Sequence, residues 1–145
     1  MSLAKRVERL NPLRNMPRVY AHCDLMCGVY NPAQARIEAE SVLEVAKKYH
    51  DSSDEVFRAR CISIKEERAE LVKHHLSVLW TDYFKPNHLE SYPQLHELFW
   101  NAIKAAGDAK KTMDPQAGVD LLAKIDEIAA IFWETKGGKP EWMTA

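Results

Sequence analysis

The chain has 145 residues, enough for one domain whose core stands without disulfides or a structural metal. Only 5 glycines and 7 prolines interrupt a sequence rich in Ala, Leu, Glu and Lys, and no stretch alternates apolar and polar residues over a strand's length, which argues against a sheet and predicts an all-α protein. The net charge of −1 divides unevenly: residues 1–21 carry Lys5, Arg6, Arg9, Arg14 and Arg18 against Glu8 alone, a net +4 that leaves −5 on the remainder.

In chain order, the first element is therefore a basic leader before an acidic body. It lacks the continuous apolar core of a secretory signal, while Val19-Tyr20-Ala21 ends in side chains that processing peptidases accept, so a removable leader over residues 1–21 is expected. An organelle transit peptide has the same Arg-rich, acid-poor composition, and a solvated arm that stays attached is the plain alternative. No apolar run approaches the roughly 18 residues of a membrane helix. Cys23, Cys27 and Cys61 make no disulfide framework. A soluble protein of a reducing compartment, by default the cytoplasm, follows, and nothing marks a membrane or nucleic-acid partner.

Asn31-Pro32 supplies a capping residue and a proline at the first helical position, with Gln34 placed for a capping box, so a helix is expected from about Pro32 to Tyr49. Ser53 is the expected cap of a second helix, with Asp54 and Glu55 in its first turn, running to about Phe84 before Pro86. Ser91 or Tyr92 before Pro93 opens a third, with Leu95, Leu98, Phe99, Ala102 and Ala106 inward, ending near Lys111. Asp114-Pro115 opens a fourth, striped by Leu121, Leu122, Ile125, Ile128, Ala129 and Phe132 and stopped by Gly137-Gly138. Short connections between four amphipathic helices predict an antiparallel up-down-up-down bundle spanning residues 22–145 behind a short N-terminal segment.

Two charges interrupt the expected stripes. Glu38 falls on the line Ala35, Val42, Val45, Tyr49, and Arg68 on the line Phe57, Cys61, Ile64, Leu71, so both should point inward. A buried lone charge costs several kcal/mol and a charge-assisted pair offsets much of that, so the two are expected to meet or to share a polar neighbour. A structural ion pair, or a stripe drawn slightly wrong with both residues at the helix edge, is the plainer explanation of the pattern from the residues alone. Cys61 reads as a small core residue, and Trp80, Trp100 and Trp133 as packing residues. His74 and His75 lie about 100° apart on a helix and form no metal pair.

Between leader and first helix stands His22-Cys23-Asp24-Leu25-Met26-Cys27-Gly28-Val29-Tyr30. Two thiolates separated by three residues converge on one ion when the chain between them hooks, and Gly28 lets the chain leave tightly. As an internal sequence, His22, Cys23 and Cys27 give three donors, for which zinc with a water or distant histidine is the ordinary metal. Cleavage after Ala21 changes the set. The freed α-amine and the Cys23 backbone nitrogen join the two thiolates in an N,S plane that suits Ni(II) or Cu(II), with the His22 imidazole placed to approach along the axis.

The run HCDLMCGVYNPAQARIEAESV resembles the N-terminus of mature nickel superoxide dismutases, and the likeness continues through KEERAELVKHHLSVLWTDYFKP and KIDEIAAIFWETK, covering nearly all of residues 22–136. The resemblance implies a four-helix-bundle subunit assembled as a homohexamer, cut free by a processing peptidase, with one nickel ion per chain in a hook at residues 22–30. It assigns nickel to the α-amine and imidazole of His22, the backbone nitrogen and thiolate of Cys23, and the thiolate of Cys27. It places Glu38 and Arg68 behind the imidazole, Tyr30 and Tyr83 near the open face of the metal, and Asp24 as a brace of the hook. The implied reaction converts superoxide to dioxygen and hydrogen peroxide by Ni(II)/Ni(III) cycling, with Lys85 beside Tyr83 able to attract the anion.

The sequence departs from the family at Met26, where proline is usual and the turn is cis, and at Asn31, where aspartate caps the helix. A competing reading is a non-enzymatic bundle with its leader attached and zinc, or only thiols, in the HCxxxC loop. A third is a plain interaction protein in which that stretch is a linker.

Overall fold

A computed structural model describes residues 27–140 of the chain. The described residues form helices α1 (Ala33–Asp51), α2 (Glu55–Val78), α3 (Pro86–Ser91), α4 (Leu95–Lys111) and α5 (Pro115–Thr135), with a π-helical turn, Leu79–Tyr83, closing α2. The four long helices make a ring in which α1 packs on α2 and α5, and α4 on α2 and α5. Three-residue connections, 52–54 and 112–114, force α1/α2 and α4/α5 to run antiparallel, as expected of an up-down-up-down bundle.

The start of α1 is capped as its sequence suggests: the Asn31 carboxamide oxygen accepts from the Ala33 N–H at 2.9 Å. At α2 the expected cap is corrected by one residue. Asp54, not Ser53, is the N-cap, accepting from Val56 N at 2.9 Å and Phe57 N at 3.3 Å, because a carboxylate at that point also meets the helix dipole. Asp114 caps α5 in the same way, through Gln116 N. Pro86 does more than end α2: with its ring at the first helical position it begins the short α3, so the stretch before Pro93 that was expected to be a connection holds a helix, and the third expected helix is α4, from Leu95.

The core is built from Ala35, Ala39 and Val42 of α1, Ala69, Val72 and Leu76 of α2, Phe99, Ala102 and Ala106 of α4, and Leu121, Ile125, Ile128 and Phe132 of α5. Small residues let the helices approach. A methyl group on buried Gly118 would stand 2.8 Å from Leu43 Cα, so glycine there sets the α1/α5 distance. Cys61 is buried, as expected.

The inward line of α2 differs from the expected one. It runs Cys61, Lys65, Ala69, Val72, Leu76, while Phe57 and Ile64 are more than a third exposed. Lys65 is 2% exposed, and its ammonium donates to the carbonyls of Ala109 at 2.8 Å and Lys110 at 2.9 Å and also to Thr112. These lie at the C-terminal end of α4, where carbonyls lack helical partners and the dipole is negative, so the lysine closes that helix from inside. Trp100, expected to pack, is 62% exposed, with Lys104 over its ring.

Candidate metal centre

The bundle end that receives the N-terminal segment is formed by the start of α1, the π-helical turn after α2 and the end of α5. Gly28 has φ +67°, the left-handed conformation that favours glycine, where the chain turns from Cys27 toward the bundle. Cys27 is exposed. Three residues after Cys27, Tyr30 meets Tyr83, their ring centroids 5.5 Å apart and tilted by 54°. The two tyrosines singled out from sequence are thus brought together from positions 53 residues apart.

Tyr83 is held on several sides. Its ring lies 4.5 Å from Phe132, 5.0 Å from Phe84 and 5.6 Å from His88, the last stacked at 16°. The Lys136 ammonium sits 5.0 Å from its centroid, and its hydroxyl is 2.5 Å from Thr135 Oγ1. The π-helical turn is what swings Tyr83 out of the α2 register to meet the end of α5.

On the adjoining α1/α2 face, Arg68 Nη1 donates to Glu38 at 3.2 Å (Oε2) and 3.5 Å (Oε1), and Nη2 donates to Glu67 at 2.9 Å. The pair forms as expected, but at the helix edge rather than in the core: the Glu38 side chain is 15% exposed and that of Arg68 33%. The physical reason is the rotated stripe of α2, which gives the inward position to Lys65 and Ala69 and leaves Arg68 beside it. His75, two turns beyond Arg68, is held below the ordinary imidazole value by burial and then by neighbouring His74, while Glu38 opposes that shift. The His74 and His75 rings are 5.2 Å apart, and His74 Nε2 is buried without a hydrogen-bond partner.

Thr135, Lys136, His88 and His75 carried no signal in the sequence, because each acquires its place through packing between helices distant along the chain. His22, Cys23, Asp24 and Met26 lie outside the described residues. Among the described residues no three His, Cys, Asp or Glu side chains converge on a metal-sized space. What the described chain brings is one exposed thiol, Cys27, beside a glycine turn and a tyrosine wall. With the imidazole of His22 and the thiolate of Cys23, and with the amine that cleavage before His22 would free, that set of sulfur and nitrogen donors would fit nickel.

A surface depression of about 820 Å³ lies at the opposite end of the bundle, among Lys47, Tyr49, His50, Arg58 and Met113. His50 Nε2 is 2.9 Å from Met113 O and Arg58 stacks over Tyr49 at 4.2 Å, so those groups serve the local packing.

The sequence model of a family described as nickel-containing superoxide dismutase matches residues 17–136. The superoxide dismutase [Ni] of Streptomyces seoulensis is 58% identical over 119 residues, 82% of this chain and 91% of the relative. That of Streptomyces coelicolor is 58% identical over 118 residues, 81% and 90% of the two chains. A native nickel superoxide dismutase solved at 1.30 Å superposes with a TM-score of 0.79 at 56% identity, over 81% of this chain and 100% of the solved one.

Proposed function

The chain belongs to the nickel-containing superoxide dismutases, and on that premise we propose that cleavage before His22 completes its metal centre. As a member of the family it is an oxidoreductase that converts superoxide to dioxygen and hydrogen peroxide, with nickel as cofactor. The observation that carries the site assignment is the meeting of Tyr30 and Tyr83 three residues beyond Cys27.

In this reading the amine and imidazole of His22, the backbone nitrogen and thiolate of Cys23 and the thiolate of Cys27 hold nickel, and Asp24 braces the hook. Nickel held there would supply the one-electron Ni(II)/Ni(III) couple that dismutation of superoxide requires. Glu38 orients the His22 imidazole, and Arg68 fixes that carboxylate; the 3.2 Å contact across two helices supports the pairing. Tyr30 and Tyr83 wall the face by which the anion enters and hold the water that supplies protons. The body remaining after cleavage carries about five net negative charges, so attraction of superoxide falls to local cations. Lys85 is exposed two residues beyond Tyr83, and Lys136 stands over the Tyr83 ring.

Removal of residues 1–21 is supported by the chemistry of the donors. An uncut Ala21–His22 amide lacks the basic lone pair of an amine, so the precursor lacks a donor. Assembly into a homohexamer is supported by apolar side chains left exposed on the single chain, among them Ile37 of α1 and Val56, Phe57, Ile62 and Ile64 of α2. Among the described residues no helix is long and apolar enough to cross a membrane.

The direct test is stopped-flow decay of superoxide by the nickel-loaded chain beginning at His22. Turnover that disappears in Cys23→Ser and Cys27→Ser supports the assignment; turnover that survives both, at full nickel content, overturns it.

A further inference from the structure

Thr135 ends α5 with its hydroxyl at the junction of two hydrogen bonds: 2.5 Å to Tyr83 Oη and 2.6 Å to the carbonyl oxygen of Phe132. A carbonyl only accepts, and a threonine hydroxyl has one proton to give. That proton goes to Phe132 O. The Phe132 carbonyl has need of it, because the last turn of α5 closes elsewhere: Lys136 N and Gly138 N donate to Trp133 O at 3.1 and 2.8 Å, and Gly137 N to Glu134 O at 3.0 Å. The short contact between Tyr83 and Thr135 therefore has Tyr83 as its donor.

We propose that Thr135 is a positioning residue for the dismutase reaction, taking the phenolic proton of Tyr83 so that the tyrosine presents only oxygen lone pairs toward the hook. This rests on the reading that Tyr83 faces the metal. The phenolic proton turns about the Cζ–Oη bond, so its direction is set by the acceptor at Thr135 Oγ1, while the Phe132, Phe84 and His88 rings and the Lys136 cation hold the Tyr83 ring where that acceptor is within reach.

The consequence concerns the direction of proton supply. Superoxide has no proton to donate, so it gains nothing from a lone pair pointed at it. A water placed between the two donates one proton to Tyr83 Oη and the other toward the anion. Tyr83 thereby anchors the proton-delivering water as an acceptor and gives up no proton of its own.

Thr135→Val keeps the side chain's shape and removes the acceptor; Thr135→Ser keeps the hydroxyl. The first measurement uses the metal-free chain beginning at His22 with isotope-labelled tyrosine, with Tyr83→Phe to assign the signal. A slowly exchanging Tyr83 hydroxyl proton resonance is expected in the parent and in Thr135→Ser and is expected to vanish in Thr135→Val. In the nickel-loaded proteins, kcat/KM for superoxide should fall about tenfold in Thr135→Val at unchanged nickel content and stay within about twofold in Thr135→Ser, a factor of ten being 1.4 kcal/mol of transition-state stabilisation. A hydroxyl resonance unchanged in Thr135→Val, or turnover unchanged while the resonance is lost, overturns the proposal. A parent protein that carries nickel and shows the resonance yet fails to consume superoxide contradicts the functional reading instead, and leaves the Tyr83-to-Thr135 bond standing.

Discussion

Arg68 reaches Glu38 across the α1/α2 interface at 3.2 Å while its second terminal nitrogen is held by Glu67 at 2.9 Å, so the guanidinium is tied on both helices yet remains a third exposed. A pair so placed contributes little to folding. Solvent screening limits it to under about 1 kcal/mol. A carboxylate that orients a metal-bound imidazole is worth far more to the metal, commonly 10–100-fold in affinity or activity.

Glu38→Gln and Arg68→Met should therefore lower superoxide turnover about tenfold or more while shifting thermal unfolding by only a few degrees. Stopped-flow kinetics and a circular-dichroism melt on the same nickel-loaded samples check this. Equal losses in stability and activity would make the pair structural.

His75 gives a pH dependence. Burial, then His74, holds its imidazole below the ordinary value of 6.5, with Glu38 opposing. In the window between the folded and the unfolded value the unfolded chain binds more protons, so stability rises with pH there and is lost as pH falls below about 6.5. His75→Gln should flatten this acid limb relative to the parent, read from urea midpoints between pH 7 and 5. An unchanged limb would exclude His75 as its source.

Lys65 is the opposite case, a charge wholly inside. Lys65→Ala leaves the ends of α4's carbonyl ladder without their donor and opens a cavity, and should cost about 2–4 kcal/mol in chemical unfolding. A loss under about 1 kcal/mol would show that water replaces the ammonium without penalty.

Both results bear on what could be read from the residues alone. Caps and proline positions are local, so Asn31, Asp114 and the four long helices were legible. The face of α2 was not. Phe57 and Ile64 form an apolar line as regular as the true one, because an apolar face left uncovered by this single chain looks the same as one turned to the core. Lys65 was hidden for the converse reason, since its burial depends on carbonyls more than forty residues away. The Glu38/Arg68 pair was legible as a pair but not in its depth. Tyr83 was named by resemblance; its proton acceptor Thr135 could be found only once α5 met the π-helical turn.

Met26, outside the described residues, is one of the two positions at which the resemblance read from the sequence gives way. A non-proline cis bond costs about 2.5–4 kcal/mol, so a hook that needs one is weakened by methionine, and a hook that relaxes to trans still lets Cys23 and Cys27 converge. Met26→Pro should preorganise either form and tighten nickel binding, with the bundle's melting unchanged. A nickel titration of the two cleaved proteins, read by thiolate-to-nickel absorption, checks this; equal affinities would mean that residue 26 does not control the hook.

The claim on which the site rests is that the chain must begin at His22. Native mass spectrometry with metal analysis, run beside superoxide decay on the precursor and on the cleaved chain, addresses it directly. The account predicts one nickel per chain and full turnover only for chains whose first residue is His22, with little nickel and no turnover while Ala21 is attached. An uncleaved chain carrying one nickel and turning over superoxide at the rate of the cleaved form would contradict it.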